Sequence, residues 1–259
     1  MKTNYLEVTE LAGESITSEQ LDRLCNRYYW AMDYCRDKDV LEVACGTGPG
    51  LGYLASAAKS LVAGDVSNEI VEIARNHYGK SIDIRQFDAC SMPFSDASFD
   101  VIIIFEAIYY LPSIDKFIEE CKRILRSNGH ILIATANKDL YDFVPSPHSV
   151  QYYGVCELSN LFKKHGFETK FYGGTALKDV SLKQKIVRPI KKIASKLGLI
   201  PKTMKGKKWL KKVVFGDLLP MPAEINASTV SYDPPVPLSD MAPNSAYKVI
   251  FSSAQLKED

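Results

Sequence analysis

VLEVACGTGPGLG, residues 40–52, is an apolar run that passes directly into glycines spaced two residues apart. A strand, a tight glycine turn and then a helix is the arrangement with which α/β proteins bring a nucleotide close to bare backbone. The stretch therefore predicts a nucleotide-binding turn at the edge of a sheet. It does not decide between nucleotide cofactors, because Gly46 and Gly48 fit the dinucleotide pattern G-x-G-x-x-G whereas Leu51 occupies its sixth position.

Strand and helix patterns alternate on both sides of this turn. Strands are predicted at 40–45, 61–66, 81–89, 99–111 (running into a loop), 130–137, 168–174 and 246–254, and helices at 18–36, 51–60, 68–79, 114–129 and 156–167. Strands separated by helices predict a doubly wound, parallel α/β sheet of seven strands. Because about 70 residues without a clear repeat precede the last strand and no helix follows it, we expect that strand to be antiparallel.

The 259 residues suit a single α/β domain. We divide residues 1–259 into an N-terminal helical cap, a cofactor-binding core, a basic and partly helical insertion between strands six and seven, and a final strand with its tail: 1–37, 38–174, 175–245 and 246–259.

Positive charge is concentrated in the predicted insertion. Residues 1–174 hold 17 Lys and Arg against 24 Asp and Glu, whereas residues 175–215 hold 13 against one acid, Asp179. Such a concentration predicts attraction to an anionic acceptor or to an anionic membrane surface, although lysines also merely solubilise helices. Nucleic acid is disfavoured, because Arg188 is the single arginine of this stretch and Trp209 is nearly its only aromatic residue able to stack on a base.

Composition narrows the class of protein further. Six cysteines occur without a C-x-x-C pair, which predicts reduced thiols and no zinc site. No apolar run approaches the roughly 20 residues of a membrane span, and the N-terminus is too polar for a signal peptide. We expect a cytoplasmic location, with peripheral contact at the inner face of the membrane as an option, while the oligomeric state stays open.

Two acids follow the strands beside the glycine turn and favour one cofactor. Asp65 ends the predicted second strand and Asp88 the third. An adenine amino group needs an acceptor there, whereas the pyrophosphate of NAD would be repelled by extra carboxylates. A cofactor with an adenosine, no phosphate and a cationic sulfonium fits this arrangement better.

Four segments resemble the motifs of class I S-adenosylmethionine-dependent methyltransferases of the bacterial small-molecule group. They are VLEVACGTGPG (40–50), VAGDVSNEIVEIA (62–74), FDACSMPFSDASFDVIIIFEAIYYLP (87–112) and LRSNGHILIATAN (125–137). The resemblance, which covers about residues 25–174, implies a seven-stranded sheet whose last strand is antiparallel, S-adenosylmethionine as cofactor and S-adenosylhomocysteine as product.

The resemblance also assigns cofactor-binding residues. At the methionine end, Gly46, Gly48 and the backbone of Ala44 would face the cofactor, Glu42 would orient its amino group, and Tyr28 would cover it.

At the adenosine end, Asp65 would accept from both ribose hydroxyls, and Ser67 or Val66 would flank the adenine. Asp88 would accept from the adenine amino group, the Ala89 amide would donate to a ring nitrogen, and the backbone around Phe105 would close the site.

The transfer itself asks for alignment, exclusion of water and, for an alcohol, a base. Residues after strands four and five supply the candidates: His148, Glu106 and Tyr109 as catalytic groups. Three further tyrosines are predicted to bind the acceptor: Tyr110, Tyr152 and Tyr153. No metal-binding motif stands out, so the default is a metal-independent reaction.

The sequence therefore predicts an S-adenosylmethionine-dependent methyltransferase acting on a small-molecule or lipid-linked acceptor that can be anionic. A sugar or glycan hydroxyl is favoured over a quinone. Transfer to nitrogen or carbon is the first alternative, and an NAD-dependent oxidoreductase or a non-catalytic cofactor-binding protein are alternatives of other classes.

Overall fold

The computed structural model describes residues 5–177 and 218–256. Its strands, in chain order, are β1 (Ser15–Ile16), β2 (Asp39–Val43), β3 (Ser60–Asp65), β4 (Asp83–Gln86), β5 (Phe99–Phe105), β6 (Leu125–Ala136), β7 (Phe167–Ala176), β8 (Leu219–Pro220), β9 (Val236–Leu238) and β10 (Tyr247–Leu256). Within these residues the main sheet has eight strands in the order β4-β3-β2-β5-β6-β10-β7-β9, and β1 pairs with β8 in a separate ribbon.

The pairing directions confirm the predicted fold class. Strands β4, β3, β2, β5 and β6 pair in parallel, whereas β10 runs antiparallel to both β6 and β7. Ile250 of β10, for example, lies opposite Thr135 of β6 and Gly173 of β7. The seventh predicted strand thus closes the sheet between the fifth and the sixth.

Helices lie between the strands as the alternation requires. They are α1 (Ser18–Cys35), α2 (Leu51–Ala55), α3 (Asn68–Tyr78), α4 (Ile114–Ile124) and α5 (Val155–Lys164), with short 3₁₀ turns at Tyr5–Val8 and Ile108–Tyr110. At the start of α1 the Thr17 hydroxyl accepts from the Gln20 amide while the Gln20 side chain accepts from the Thr17 amide, a capping box that fixes where the helix begins.

Several element boundaries differ from the prediction. The helix expected over 114–129 ends at Ile124, and residues 125–129 belong to β6, where Leu125 pairs with Phe99. Asn128 and Gly129, at the end of the predicted helix, instead form a kink within this strand, since Asn128 has a φ of 62°. Strand β5 stops at Phe105 rather than Leu111, because Glu106 turns the chain with a φ of 50°.

Further differences lie at shorter elements. Helix α2 ends at Ala55 instead of residue 60, since Ser60 pairs with Asp39 at the start of β3. The third predicted strand shrinks to four residues, Asp83–Gln86. β9, at the sheet edge against β7, was not expected, because Val236–Leu238 contains Pro237 and is too short to show alternation.

The core forms one layer on each face of the sheet. Val101 and Ile103 of β5 pack on the side of α1, α2 and α3, whereas Ile102 and Ile104 pack on the side of α4 and α5. All four are at most 1% exposed, so β5 is buried on both faces, as expected for a central parallel strand.

Residues 219–226, in the described part of the predicted insertion, contact the N-terminal residues, the glycine turn and α1. Leu219 pairs with Ile16, the Ile225 amide donates to Pro49 O at 2.8 Å, and the Tyr29 hydroxyl donates to Asn226 O at 2.6 Å. The helical pattern and lysines predicted within 178–217, with Trp209, lie outside the described residues. All six cysteines are free, and the described helices include none that is both long and apolar enough to span a membrane.

Candidate functional site

A cavity of about 370 Å³ opens at the carboxyl ends of β2, β3 and β5. This is where the strand order of the sheet reverses, because β2 connects through α2 to β3 on one side and pairs with β5 on the other. Ligands of open α/β sheets bind at such a point. The sheet supplies one wall of the cavity, α1 another, and the N-terminal segment, defined here as residues 5–16, a third.

The glycine turn between β2 and α2 forms the floor. Gly46 has a φ of 59°, and its amide donates to Asp65 Oδ2 at 3.2 Å. Gly50 is required by a close approach, since a Cβ there would lie 2.2 Å from the Tyr28 ring. Ala44 adopts a φ of 53°, a left-handed conformation that costs a non-glycine residue about 1 kcal/mol. The backbone of this turn is therefore held in a shape that its sequence only partly favours, which is typical of binding sites.

Near the end of β2, Glu42 is a buried carboxylate of which only one oxygen accepts a hydrogen bond from the described residues. The Tyr28 hydroxyl donates to its Oε1 at 2.7 Å, whereas Oε2 has no hydrogen-bond partner among the described residues. Burial raises the pKa of this carboxyl to about 7, against the smaller opposite effects of the Tyr28 hydrogen bond and the Arg27 charge.

Arg27 of α1 is the cationic counterpart. It is 7% exposed, and its Nη2 donates to Glu10 Oε2 of the N-terminal segment at 2.6 Å. Its Nε is also buried and lacks a hydrogen-bond partner in the described part of the chain. Glu42 and Arg27 line the same cavity, so an unused acceptor and an unused donor of opposite charge border one space.

The predicted adenosine-binding residues lie together along the cavity. Asp65 is 7% exposed, burial raises its pKa, and its Oδ1 accepts from the Ser67 amide at 2.9 Å. Asp88 Oδ1 accepts from the Cys90 amide at 2.8 Å. Val66, Ala89 and the end of β5 at Phe105 complete this part of the lining.

Glu106 projects into the other half of the cavity. Its amide donates to Ala134 O at 2.7 Å, and its Oε2 accepts from the Tyr109 hydroxyl at 3.1 Å. Loss of solvation raises the pKa of the Glu106 carboxyl, although the positive charges of Arg27 and Arg23 act in the opposite direction. Tyr109 and Tyr110 line the cavity beside it.

Four predicted site residues do not line the cavity. Gly48 lies behind the turn, where its carbonyl accepts from the Tyr78 hydroxyl at 2.7 Å. His148 Nε2 is 3.8 Å from Glu7 Oε2 near the protein surface. Tyr152 stacks on Tyr109 with ring centroids 4.2 Å apart and therefore supports the lining from behind, and Tyr153 is half-buried near it.

The N-terminal segment and one face of α1 contribute lining residues that the sequence did not reveal: Tyr5, Val8, Thr9, Glu10, Gln20, Arg23 and Arg27. The segment carries no periodic pattern that could have indicated a role. In α1, however, Arg23 and Arg27 are four residues apart and therefore share one helix face, and Arg27 directly precedes the predicted cofactor-covering Tyr28, so this spacing could have indicated them. In the described ranges, His, Cys, Asp and Glu side chains form no group of three that could hold a metal ion.

Residues 41–133 match a protein family described as a methyltransferase domain. A probable S-adenosylmethionine-dependent methyltransferase of Mycolicibacterium smegmatis is 32% identical over 140 residues, which cover 52% of this chain and 54% of that protein. An O-methyltransferase of Penicillium expansum is 28% identical over 176 residues, which cover 62% of this chain and 60% of that protein. The chain spans about half the length of the curated relatives that it matches first, 54%, 50% and 50%.

Among solved structures, the chain resembles a protein of Thermotoga maritima described as an S-adenosylmethionine-dependent methyltransferase and possible histamine N-methyltransferase. The TM-score is 0.58 at 15% identity, with 92% of each chain covered, so this likeness concerns the fold alone.

The family match includes Glu42, Asp65, Asp88 and Glu106. It begins after the N-terminal segment and α1, which form the remaining walls of the cavity.

Proposed function

We propose that this chain, in which residues 41–133 match a methyltransferase domain, is a class I S-adenosylmethionine-dependent methyltransferase that transfers the cofactor's methyl group to a hydroxyl of a small-molecule or lipid-linked acceptor. The observation that carries the proposal is that one cavity contains both parts of the site. This cavity joins most of the residues expected to bind the cofactor to Glu106, a carboxylate suited to accept a proton.

The residues present fit the cofactor. The unused Glu42 Oε2 suits the ammonium group of a methionine moiety, and the unused Arg27 Nε suits its carboxylate. Asp65, buried and fixed by two backbone amides, keeps lone pairs for a pair of ribose hydroxyls. When bound, S-adenosylmethionine supplies a methyl group that is already activated on a sulfonium.

The protein itself orients the reacting groups, excludes water from the cavity and accepts the proton of the acceptor hydroxyl. Tyr28 and Phe105, whose rings lie 5.3 Å apart, shield the floor of the cavity from water. The Tyr109 hydroxyl fixes the Glu106 carboxylate, and Tyr152 stacked behind it fixes Tyr109. A carboxylate whose pKa is raised is a stronger base, so Glu106 takes the hydroxyl proton as the acceptor oxygen attacks.

The residues that line the cavity beside Glu106 indicate which kind of acceptor molecule fits there. Tyr5, Val8, Tyr110, Leu111 and Pro112 present mainly aromatic and apolar surface. Such surface covers the face of a sugar ring or an apolar chain. The sugar or glycan hydroxyl stays our prediction, and the similarity to an O-methyltransferase supports oxygen as the methylated atom.

The test combines a binding assay with an acceptor screen. Calorimetry should show S-adenosylhomocysteine binding and no NAD binding; tight NAD binding would favour an oxidoreductase. Wild type is then screened with sugars, glycolipids, phenols and amines, and methylated products are detected by their gain in mass. Binding of the cofactor with no methylated product in the screen would favour the non-catalytic alternative.

Glu106→Gln should lower turnover on the acceptor found by roughly 10²–10⁴-fold while the affinity for S-adenosylhomocysteine is retained. Glu119→Gln, at an exposed position of α4, is the matched control and should be normal. Near-normal turnover in Glu106→Gln, or a methyl group found on nitrogen, would contradict the proposal. His148→Ala belongs in the same series, because a large loss there would return the role of base to His148.

A further inference from the structure

Arg23 is a cation of the cavity wall without a close partner. Its Nε is buried and has no hydrogen-bond partner among the described residues, and the nearest carboxylate oxygen, Glu19 Oε1, is 4.0 Å away. The side chain is one-third exposed, so it lies where the cavity meets solvent.

Arg23 and Arg27 line the same cavity at successive turns of α1. Four residues of α-helix rise about 6 Å, so Arg23 lies one turn before Arg27 on the same face of α1. Arg27 is next to Tyr28, which is hydrogen-bonded to Glu42 at the methionine end. Arg23, Arg27 and Glu106 line one cavity, and the charges of both arginines favour the ionised form of Glu106, that of Arg27 more than that of Arg23.

The other charged groups of the cavity already have a close hydrogen-bond partner or a proposed ligand. Arg27 is paired with Glu10, Glu106 is bonded to Tyr109, and Glu42, Asp65 and Asp88 face the cofactor in the proposed function. Of the two arginines that line the cavity, Arg27 has a carboxylate partner at 2.6 Å, whereas the nearest carboxylate oxygen to Arg23 is 4.0 Å away. A guanidinium at a partly desolvated position binds carboxylate or phosphate oxygens with paired N–H donors.

We propose that the methyl acceptor is an anion and that Arg23 binds its carboxylate or phosphate group while the acceptor hydroxyl lies against Glu106. The proposal rests on the proposed function and names its substrate class. Arg23 is a binding residue in this arrangement, and the methyl group is transferred to the hydroxyl oxygen as Glu106 takes the hydroxyl proton.

Matched probe pairs that differ in one charge test the proposal. Para-hydroxybenzoate is compared with para-hydroxybenzamide, galacturonate with galactose, and glucose phosphate with glucose, each with S-adenosylhomocysteine-loaded protein by calorimetry and with S-adenosylmethionine by product mass. At least one anionic member should bind or react roughly tenfold better than its neutral partner at low salt, and the difference should shrink as salt is raised.

Arg23→Gln should abolish this preference and Arg23→Lys should restore part of it, while the affinity for S-adenosylhomocysteine stays unchanged. Arg36→Gln is the matched control, because Arg36 ends the same helix outside the cavity and also lies 4.0 Å from its nearest carboxylate, that of Asp33.

The outcomes separate this inference from the proposed function. Equal use of neutral and anionic probes, an equal loss of both in Arg23→Gln, or no response to any anionic probe overturns the inference and leaves methyl transfer standing. A weakened affinity for S-adenosylhomocysteine in Arg23→Gln assigns Arg23 to the cofactor and also overturns it. Failure of wild type to bind S-adenosylhomocysteine at all would remove the proposed function itself. Phosphate-bearing and carboxylate-bearing probes tell the two anion chemistries apart.

Discussion

If Glu42 binds the ammonium group of the cofactor as proposed, its carboxyl group makes cofactor binding depend on pH. It is 2% exposed, and burial raises its pKa from 4.5 to about 7 in the ligand-free protein. A raised pKa means that the folded state favours the protonated form. The corresponding contribution to stability is therefore present below about pH 4.5 and is lost as the pH rises through about 7. A cofactor ammonium group demands the opposite form, the ionised carboxylate.

We therefore expect S-adenosylhomocysteine to bind more tightly at about pH 8 than at about pH 6, because binding below pH 7 has to expel the proton of Glu42. Calorimetry in buffers of different ionisation enthalpy should show proton release at the lower pH. In Glu42→Gln the affinity should be weaker and nearly independent of pH in this range. An equally steep pH dependence in that variant would assign the titration to another group.

At the scale of elements, the sequence predicted the sheet better than the walls of the site. Local patterns predicted the glycine turn after β2, Asp65 at the end of β3 and Asp88 after β4, because each of these residues is close in the chain to the strand that positions it. The contribution of residues 5–16 does not, since it depends on contacts made across long stretches of chain. The Thr47 hydroxyl donates to Glu10 O at 2.8 Å, and Ser15–Ile16 pair with Leu219–Pro220.

These contacts make the N-terminal segment a cover whose attachment can be tested. Thr47→Val keeps the shape of the side chain but removes the hydrogen bond to Glu10 O, which is worth about 1 kcal/mol. We expect S-adenosylhomocysteine to bind roughly fivefold more weakly, through faster dissociation measured by stopped flow. Thr169→Val is the control, because the Thr169 hydroxyl has no hydrogen-bond partner among the described residues and lies outside the cavity. Unchanged dissociation in Thr47→Val would show that the segment does not retain the cofactor.

On the scale of the whole molecule, the described residues before and after 178–217 lie at the carboxyl edge of the sheet and at the N-terminal segment, respectively. The predicted basic insertion follows β7, whose last residues lie at the same carboxyl edge of the sheet as the cavity, since β7 is parallel to β6. The chain is described again from residue 218, where Leu219 and Pro220 pair with the N-terminal segment. The excess of 12 positive charges in 175–215 was evident from the sequence. Its role was not, because apolar and basic residues at helical spacing suit binding to an anion, binding to a membrane or exposure to solvent equally.

The lysines of the insertion provide the last test. Exposed charges act over about one Debye length, roughly 8 Å at physiological salt. If Lys207, Lys208, Lys211 and Lys212 attract an anionic acceptor, replacing them with Gln should lower kcat/KM at low salt and flatten its salt dependence without changing cofactor affinity. If they bind an anionic membrane, the variant should instead lose co-sedimentation with phosphatidylglycerol vesicles and process soluble acceptors normally.

The control replaces four exposed lysines elsewhere, Lys38, Lys80, Lys116 and Lys122, so that the change in net charge is the same. Equal behaviour of the two quadruple variants would mean that only the overall charge matters, and that the insertion's lysines serve solubility rather than recognition.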